Sequence, residues 1–415
     1  MRQTKMGKVK AGIGFDENQN SFEAGKRAAA QAVKGIGLKR GSLVLAFCTG
    51  RHNYQACFEG IRSEVGDIPI IGGPAIGVIT NNNLGYEGYQ VGVSVLPDDL
   101  AFDTAAVGGL DKGEKIVGLE LGRQLSGKRN PREKMALLFY DSIKSPAPPA
   151  PVLNVSSYLI EGFEEGIGEN PPVIVGAGLI GSYAFDRGKQ FCGAKVADQQ
   201  AVAALLSGEC FVHTTTMHGC KPMSDYHTIT RVEGPVVYEI DRKPSLDVID
   251  ELLGSRDWQK RLPLLLVTLG VNHGEKYAPY DEKNYINRLI IGIIPEKKAI
   301  VLFEADFENG TEFQFMRRNA ELMEESAGKG SKEALAYLEK NHQEPFFALY
   351  IDCAGRTAGF SGAKREEAAI VQRVIGGDIP LLGFYSGVEI APLMGKSRGL
   401  DWTGVLLLLS RIREQ

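Results

Sequence analysis

Gly66-Asp67-Ile68-Pro69-Ile70-Ile71-Gly72 returns near the end of the chain as Gly377-Asp378-Ile379-Pro380-Leu381-Leu382-Gly383. Upstream of each copy an apolar run, residues 42–47 and 346–351, ends on Cys-x-Gly-Arg: Cys48-Thr49-Gly50-Arg51 and Cys353-Ala354-Gly355-Arg356. Between the two motifs lies an amphipathic helix in both copies. Tyr54, Phe58, Ile61 and Val65 mark it in the first, and Ala368, Val371, Val374 and Ile375 in the last. Matched motifs in one order around the same elements predict a duplicated strand-helix-strand unit. Unbroken apolar runs of this length suit strands covered on both faces, as in parallel sheets between helices.

Working outward, a middle copy emerges. Residues 135–140 read as a strand, and 156–166 as a helix carrying Glu161-Gly162-Phe163 where the first copy has Glu59-Gly60-Ile61. Gly176 and Gly181 then repeat the spacing of Gly72 and Gly77. In the first copy residues 9–15 read as a strand, a helix capped by Ser21 stops at Gly37, and 89–96 returns antiparallel. The proline-rich residues 145–151 read as a loop. Further on, 262–269 is an apolar strand. Residues 288–294 and 299–304 form a hairpin turning at Pro295-Glu296-Lys297-Lys298, and 313–338 is a helical stretch broken at Gly328-Lys329-Gly330. The expected fold class is α/β: two domains with mixed sheets flanked by helices, built from duplicated strand-helix-strand units. The first spans 8–230 (units of about 8–125 and 130–230) and the second 231–415, with the boundary in the polar stretch 231–244.

At 415 residues, 43% hydrophobic and 24% charged, the chain is too long for one core. A net charge of -4, a pI near 6.0 and no basic stripe exclude nucleic acid and anionic membrane as expected partners. The longest apolar runs, such as 405–409, fall far short of the roughly 20 residues of a spanning helix. Residues 1–7 are basic but precede no apolar segment, so no secretory signal is expected. Six cysteines without a Cys-x-x-Cys pair suit a reducing compartment, and the cytoplasm is the expected location. Glycosylation-type triplets at Asn154 and Asn309 carry no weight there.

These residues resemble the FIST family, named for F-box and intracellular signal transduction proteins, over most of the chain. The strongest likeness is Cys-x-Gly-Arg, a helix, then Pro380-Leu381-Leu382-Gly383-Phe384-Tyr385-Ser386-Gly387-Val388-Glu389-Ile390-Ala391-Pro392. His218-Gly219-Cys220-Lys221-Pro222, residues 288–293 and Gly310 with Met316-Arg317-Arg318 fit the same pattern. Val388 stands where the family often has glycine before the glutamate, and Cys220 where an aromatic is common. The resemblance implies a small-ligand sensing module, with amino acids or related small carboxylates as ligands. No output domain is recognisable in this sequence, so a separate signalling protein is expected to read it. No cofactor is implied.

Arg356 could grip a carboxylate, and Glu389 across a cleft an ammonium, beside a glycine that lets backbone amides approach. The same two residues could equally be an ion pair bracing two loops. Tyr385, Ser386, Arg288, Cys353 and His218 complete the expected ligand contacts. Cys48, Arg51, Gly72 and Gly73 are their counterparts in the first copy. Under the alternative, Cys353 is the nucleophile of a cysteine-dependent hydrolase or transferase, with His52 or His342 to hand as base. His213, His218, Cys220 and His227 lack the spacing of a zinc site, so no metal is expected. Gly72-Gly73-Pro74 and Gly176-Ala177-Gly178 match no phosphate loop and read as tight turns. Residues 312–340 read as a solvated charged helix, with partner docking as the lesser reading.

Overall fold

The computed structural model describes residues 9–36, 41–146 and 151–413. Gly37, residues 1–7 and most of the proline-rich segment, 147–150, lie outside them. Three six-stranded sheets share one strand order and one pattern of directions. At the heart of each is a parallel pair. These are Gly41–Thr49 with Ile70–Ala75, Glu133–Asp141 with Ile174–Leu179, and Gln343–Cys353 with Leu381–Ser386. The first member of each pair is flanked by an antiparallel strand: Val91–Pro97, Gln200–Gly208 or Gly404–Ile412. Beyond that strand lies the one that opens the repeat: Gly12–Asp16, Leu100–Gly108 or Phe211–Met217.

The far edge of every sheet comes from a different repeat. The first repeat lends Gly77–Thr80 and Leu84–Tyr86 to the third. The third lends Val388–Leu393 and Lys396–Leu400 to the second. The second lends Gln190–Cys192 and Lys195–Ala197 to the first. The exchange is therefore cyclic.

Alternation along the strands builds two layers. Leu43, Leu45 and Phe47 point into a core shared by all three sheets, where Phe47 stacks on Phe384 at 3.8 Å and meets Phe139 edge-on at 5.3 Å. Val44, Ala46 and Cys48 point out beneath Ser21–Ile36 and Tyr54–Val65. Glu114–Ser126 and Ser156–Ile167 cover the second sheet, and Ala320–Lys340 and Ala368–Ile375 the third. The paired Glu-Gly motifs mark where two helices touch. A Cβ on Gly60 would lie 2.0 Å from Phe22 O, and one on Gly162 2.1 Å from Lys115 O.

The third repeat carries an insertion, Lys221–Glu233 through Glu312–Arg317, with its own core of Ile229, Ile249, Leu269, Phe313 and Phe315. Lys221 pairs directly with Arg317, so the chain leaves and rejoins the repeat at one place. Residues 231–244 belong to this sheet, where Lys221–Glu233 pairs with Val236–Ile240.

Several local expectations give way. Residues 312–317 are a strand, and Ala320–Lys340 then runs unbroken through Gly328 and Gly330, capped by Asn319 Oδ1 accepting from Leu322 N at 2.8 Å. Gly330 sits where the helix passes Met217, a fit that outweighs the poor helix propensity of glycine. Asn20 rather than Ser21 caps the first helix, accepting from Glu23 N at 3.1 Å. Gly72, Gly73 and Gly176–Gly178 are not turns but lie inside strands. A Cβ on Gly72 would stand 2.0 Å from Ala46 O, and one on Gly176 1.7 Å from Leu138 O.

Candidate functional site

A cavity of about 390 Å³ lies where the parallel pair of the third repeat ends against the inserted sheet. Cys353, Ala354 and Gly355 follow one strand into it, Ser386 and Gly387 the other. The second repeat contributes Ser142, Ile180, Tyr183 and Phe185, and the inserted sheet Leu289, Ile291, Gly292, Val301 and Phe303. Phe360, Asp401 and Trp402 complete the wall. Carboxyl ends of parallel strands are where open α/β sheets hold ligands, and an apolar wall with few polar groups is the usual composition. A larger hollow of about 490 Å³ lies between Cys220, Glu282 and the helix Ala320–Lys340. Its charges are already matched, Lys283 with Glu333 at 2.8 Å and Lys221 with Glu325 at 3.7 Å. Of these two, the smaller cavity is the better site because only it has, among its described lining residues, a buried side-chain atom left without a hydrogen-bond partner.

Of the expected contacts, Cys353 and Ser386 line this cavity. Glu389 stands behind them, fully buried, accepting from Ser386 Oγ at 2.7 Å and from Thr403 N at 3.1 Å. Burial pushes its carboxyl well above the ordinary range, and Asp352 and Asp401 add to that. Burial and Glu389 likewise push the Cys353 thiol well up, against backbone hydrogen bonds from Gly355 and Trp402. Arg288 also stands behind the wall. It binds Asp306 through Nε at 2.8 Å, donates to Gly399 O at 3.1 Å and faces Asp401 Oδ1 at 3.7 Å.

Arg356 is elsewhere. It is fully buried, ion-paired to Glu367 and to Asp352 at 3.1 Å, and donates to His218 O and Trp402 O. Tyr385 bonds Glu366 at 3.1 Å beneath the helix layer. His218 accepts Cys220 N at Nδ1, which leaves Nε2 to donate to Glu282 O at 3.0 Å. Arg356, expected to grip a carboxylate, and Arg288, expected as a ligand contact, are thus both bound by carboxylates of the chain itself.

None of the first-copy residues lines the cavity, and the strand register shows why for the cysteine. Gly72 pairs with Ala46 and Gly383 with Tyr350, which aligns Cys48 with Asp352 and Thr49 with Cys353. The two Cys-x-Gly-Arg motifs are out of step by one residue, and one residue reverses the face. Cys48 points under the helices beside Cys57, Cys353 into the cavity. Arg51 is exposed, donating to Glu87 O, and Gly73 is buried in its strand. His52 is bound to Tyr89 O at 2.8 Å within the first repeat. His342 precedes the far end of the 11-residue strand that finishes at Cys353. Neither is a base for that thiol. Among the described residues no three His, Cys, Asp or Glu side chains converge as a metal site.

Ser142, Tyr183, Phe360, Asp401 and Trp402 belong to no motif that the sequence displays. One signal was present, an acid set between Leu400 and Trp402 in an otherwise buried segment. Asp401 Oδ2 accepts Leu289 N at 2.8 Å, whereas Oδ1 has no hydrogen-bond partner. Burial, with Glu304 and Asp306 nearby, pushes its carboxyl to about 7 despite Arg288. Ser142 is also buried, its hydroxyl beside that of Tyr140. Trp402 adopts a left-handed backbone, φ 53°, the kind of strain that gathers at functional sites.

The family models described as FIST N domain and FIST C domain match residues 42–243 and 245–392. An uncharacterized protein of Mycobacterium tuberculosis (strain ATCC 25618 / H37Rv) is 27% identical over 191 residues, 46% of this chain and 49% of that one. An uncharacterized protein of Mycobacterium bovis is 25% identical over 191 residues, 46% of this chain and 48% of its own length. The chain thus spans about half the length of the curated relatives it matches. Among solved structures, a chorismatase aligns at a TM-score of 0.35 and 9% identity, covering 96% of this chain and 98% of that one. A cyanuric acid hydrolase from A. caulinodans aligns at 0.36 and 9%, covering 97% and 99%. Likeness at that level transfers nothing to this chain. Among the described residues no helix is long and apolar enough to cross a membrane.

Proposed function

The chain belongs to the FIST family, and on that premise we propose that it is a small-molecule-binding sensory module whose ligand occupies the 390 Å³ cavity. The observation that carries the reading is Asp401 Oδ1, a buried atom without a hydrogen-bond partner on a residue of that apolar wall. A buried polar atom without a partner costs about 1–3 kcal/mol, which a ligand supplying the missing bond recovers. Amino acids and related small molecules are of a size to enter. The roof is the inserted sheet and the floor belongs to the repeats, so a ligand touching both biases their relative position. A separate signalling protein would read that shift.

The test is a thermal-shift screen of the whole chain and of Gly292→Phe. Gly292 lines the cavity, and a Cβ there meets only the Val301 side chain, at 3.5 Å. A phenyl group at that position fills the space without a backbone clash. A ligand at 100 times its Kd adds about 2.7 kcal/mol to the wild type. The shift is expected to vanish in Gly292→Phe. A ligand that shifts both proteins equally binds elsewhere and removes the assignment.

A further inference from the structure

We propose that the cavity selects an uncharged ligand: a flat, mostly apolar molecule, aromatic in part, that carries one hydroxyl or amide group. This rests on the reading of the cavity as the ligand site and adds the chemistry of the ligand. It narrows the candidates by charge, where size alone admits amino acids.

Among the described residues no Lys, Arg, His or Glu side chain lines the cavity, and Asp401 is its one carboxyl. The other polar side chains of the wall are engaged. Tyr183 Oη donates to Ala354 O at 2.9 Å and lies 2.6 Å from Thr357 Oγ1. Ser386 Oγ lies 2.7 Å from Glu389 Oε1 and 3.1 Å from Asp352 O, and the Ser142 hydroxyl stands beside that of Tyr140. The Cys353 thiol, pushed towards its neutral form by burial and Glu389, faces the backbone amides of Gly355 and Trp402. Two arginines stand off the wall. Arg288 is held by Asp306, Asn287 O and Gly399 O, and its Nη1 already faces Asp401 Oδ1 at 3.7 Å. Arg318 lies over the Trp402 ring at 3.6 Å and donates to Gly355 O, with Nη1 unpartnered. A charged ligand thus enters an apolar wall with no lining side chain free to pair with it. Burying an unpaired charge costs far more than burying a neutral group that keeps its hydrogen bond.

Asp401 decides the polar group. Its Oδ1 makes no hydrogen bond, while Oδ2 accepts Leu289 N at 2.8 Å. The carboxyl is pushed to about 7, so protonated and ionised forms coexist near neutrality. A hydroxyl or amide both donates and accepts, and so bonds either form. An ammonium only donates and a carboxylate only accepts. The rest of the wall suits a ring. Tyr183 and Phe360 stack at 5.5 Å and 11°. Leu289, Ile291 and Phe303 pack with Trp402, whose indole sits so close to Gly355 that a Cβ there would lie 2.4 Å from Nε1. Aromatic and aliphatic surfaces of this kind hold a ring by its face and edge.

The experiment is calorimetric titration of the full chain at neutral pH with probes that share a ring and differ in charge. One set is indole-3-ethanol, tryptamine, indole-3-propionate and tryptophan. The smaller set is 2-phenylethanol, 2-phenylethylamine, 3-phenylpropionate and phenylalanine. In at least one set the alcohol is expected to bind at least about tenfold more tightly than each charged member. A charged probe that equals or exceeds the alcohol of its ring overturns the proposal. The propionate binding best would mean that Arg318 reaches the ligand past Trp402, and the amine binding best that Asp401 meets it ionised. Failure of both alcohols to bind overturns the proposal as well. Gly292→Phe is expected to abolish alcohol binding, with Val301→Phe on the paired strand as the second variant where the first does not fold. A charged probe that binds best and is lost in that variant leaves the cavity as the ligand site and removes only its preference for neutral ligands. An alcohol that binds variant and wild type equally removes the cavity itself.

Discussion

Cys353 and Asp401 sit in one wall, and their surroundings assign them opposite reactivity. The thiol is 6% exposed and is pushed up by burial and by Glu389, so little thiolate exists near neutrality. Iodoacetamide at pH 7.5 is expected to label Cys353 about a hundredfold more slowly in the native protein than in urea, followed by peptide mapping. Fast native labelling would restore the thiol-enzyme reading. Asp401 bears on stability instead. Its folded pKa of about 7 lies above its unfolded value, so between about pH 4 and 7 the folded state holds the proton the unfolded state has lost. That differential penalises the folded state increasingly as pH rises through this window, and fully above it. Asp401→Asn is therefore expected to raise Tm relative to wild type by an amount that grows from pH 4 to 7 and then levels off. A difference that shrinks with pH would show that Asp401 is ionised in the fold.

Between elements, the inserted sheet is tied to the second repeat by one carboxylate. Glu304 accepts from Ser156 N at 3.2 Å and Oγ at 2.6 Å, and from Ser157 N at 3.1 Å and Oγ at 2.9 Å. It thereby caps the helix Ser156–Ile167 from another part of the chain, where first-turn amides lack partners and the helix dipole favours an anion. Glu304→Ala is expected to cost about 1–3 kcal/mol in urea unfolding. A neutral outcome would mean that water replaces the carboxylate. Such a cap shows where legibility stops. The strands of the three parallel pairs, the helices at 54–65, 156–166 and 368–375, and the repeat itself could be read from local periodicity, whereas the strand expected at 262–269 lies at Val267–Asn272. Glu304 serves a helix nearly 150 positions upstream, and no window of sequence contains both. The same holds for Asp401 beneath Leu289, and for Arg356, whose bonds to His218 O and Trp402 O join distant segments. The motif match even misled at single-residue resolution. Cys48 and Cys353 look equivalent by identity, whereas the pairing of Gly72 and Gly383 makes them neighbours of opposite face. Strand identity survives a slip of one residue, but side-chain direction does not.

Across the whole molecule, the cyclic exchange of hairpins ties the repeats into one folding unit. Ile70–Ala75 and Gly77–Thr80 are separated by Ile76 alone, so the strand passes straight from the first sheet into the third. One residue cannot reverse the chain, because even the tightest hairpin needs a two-residue loop. The first repeat therefore cannot fold its own hairpin back to cover Ile70–Ala75, the place that Gln190–Cys192 of the second repeat fills. Isolated, it would expose that edge together with Leu43, Leu45 and Phe47, which the other two sheets bury. A fragment of residues 1–99 is thus expected to have no folded monomer at any concentration. Structure could arise only by passing the hairpin to another copy, and that rotation closes at three. Circular dichroism against concentration, alongside sedimentation velocity, checks this. The expected result is an unfolded monomer when dilute, with any ordered signal rising together with a trimer. A folded monomer would mean that the hairpin can turn at Ile76, and the repeats would then be separable domains rather than parts of a closed ring.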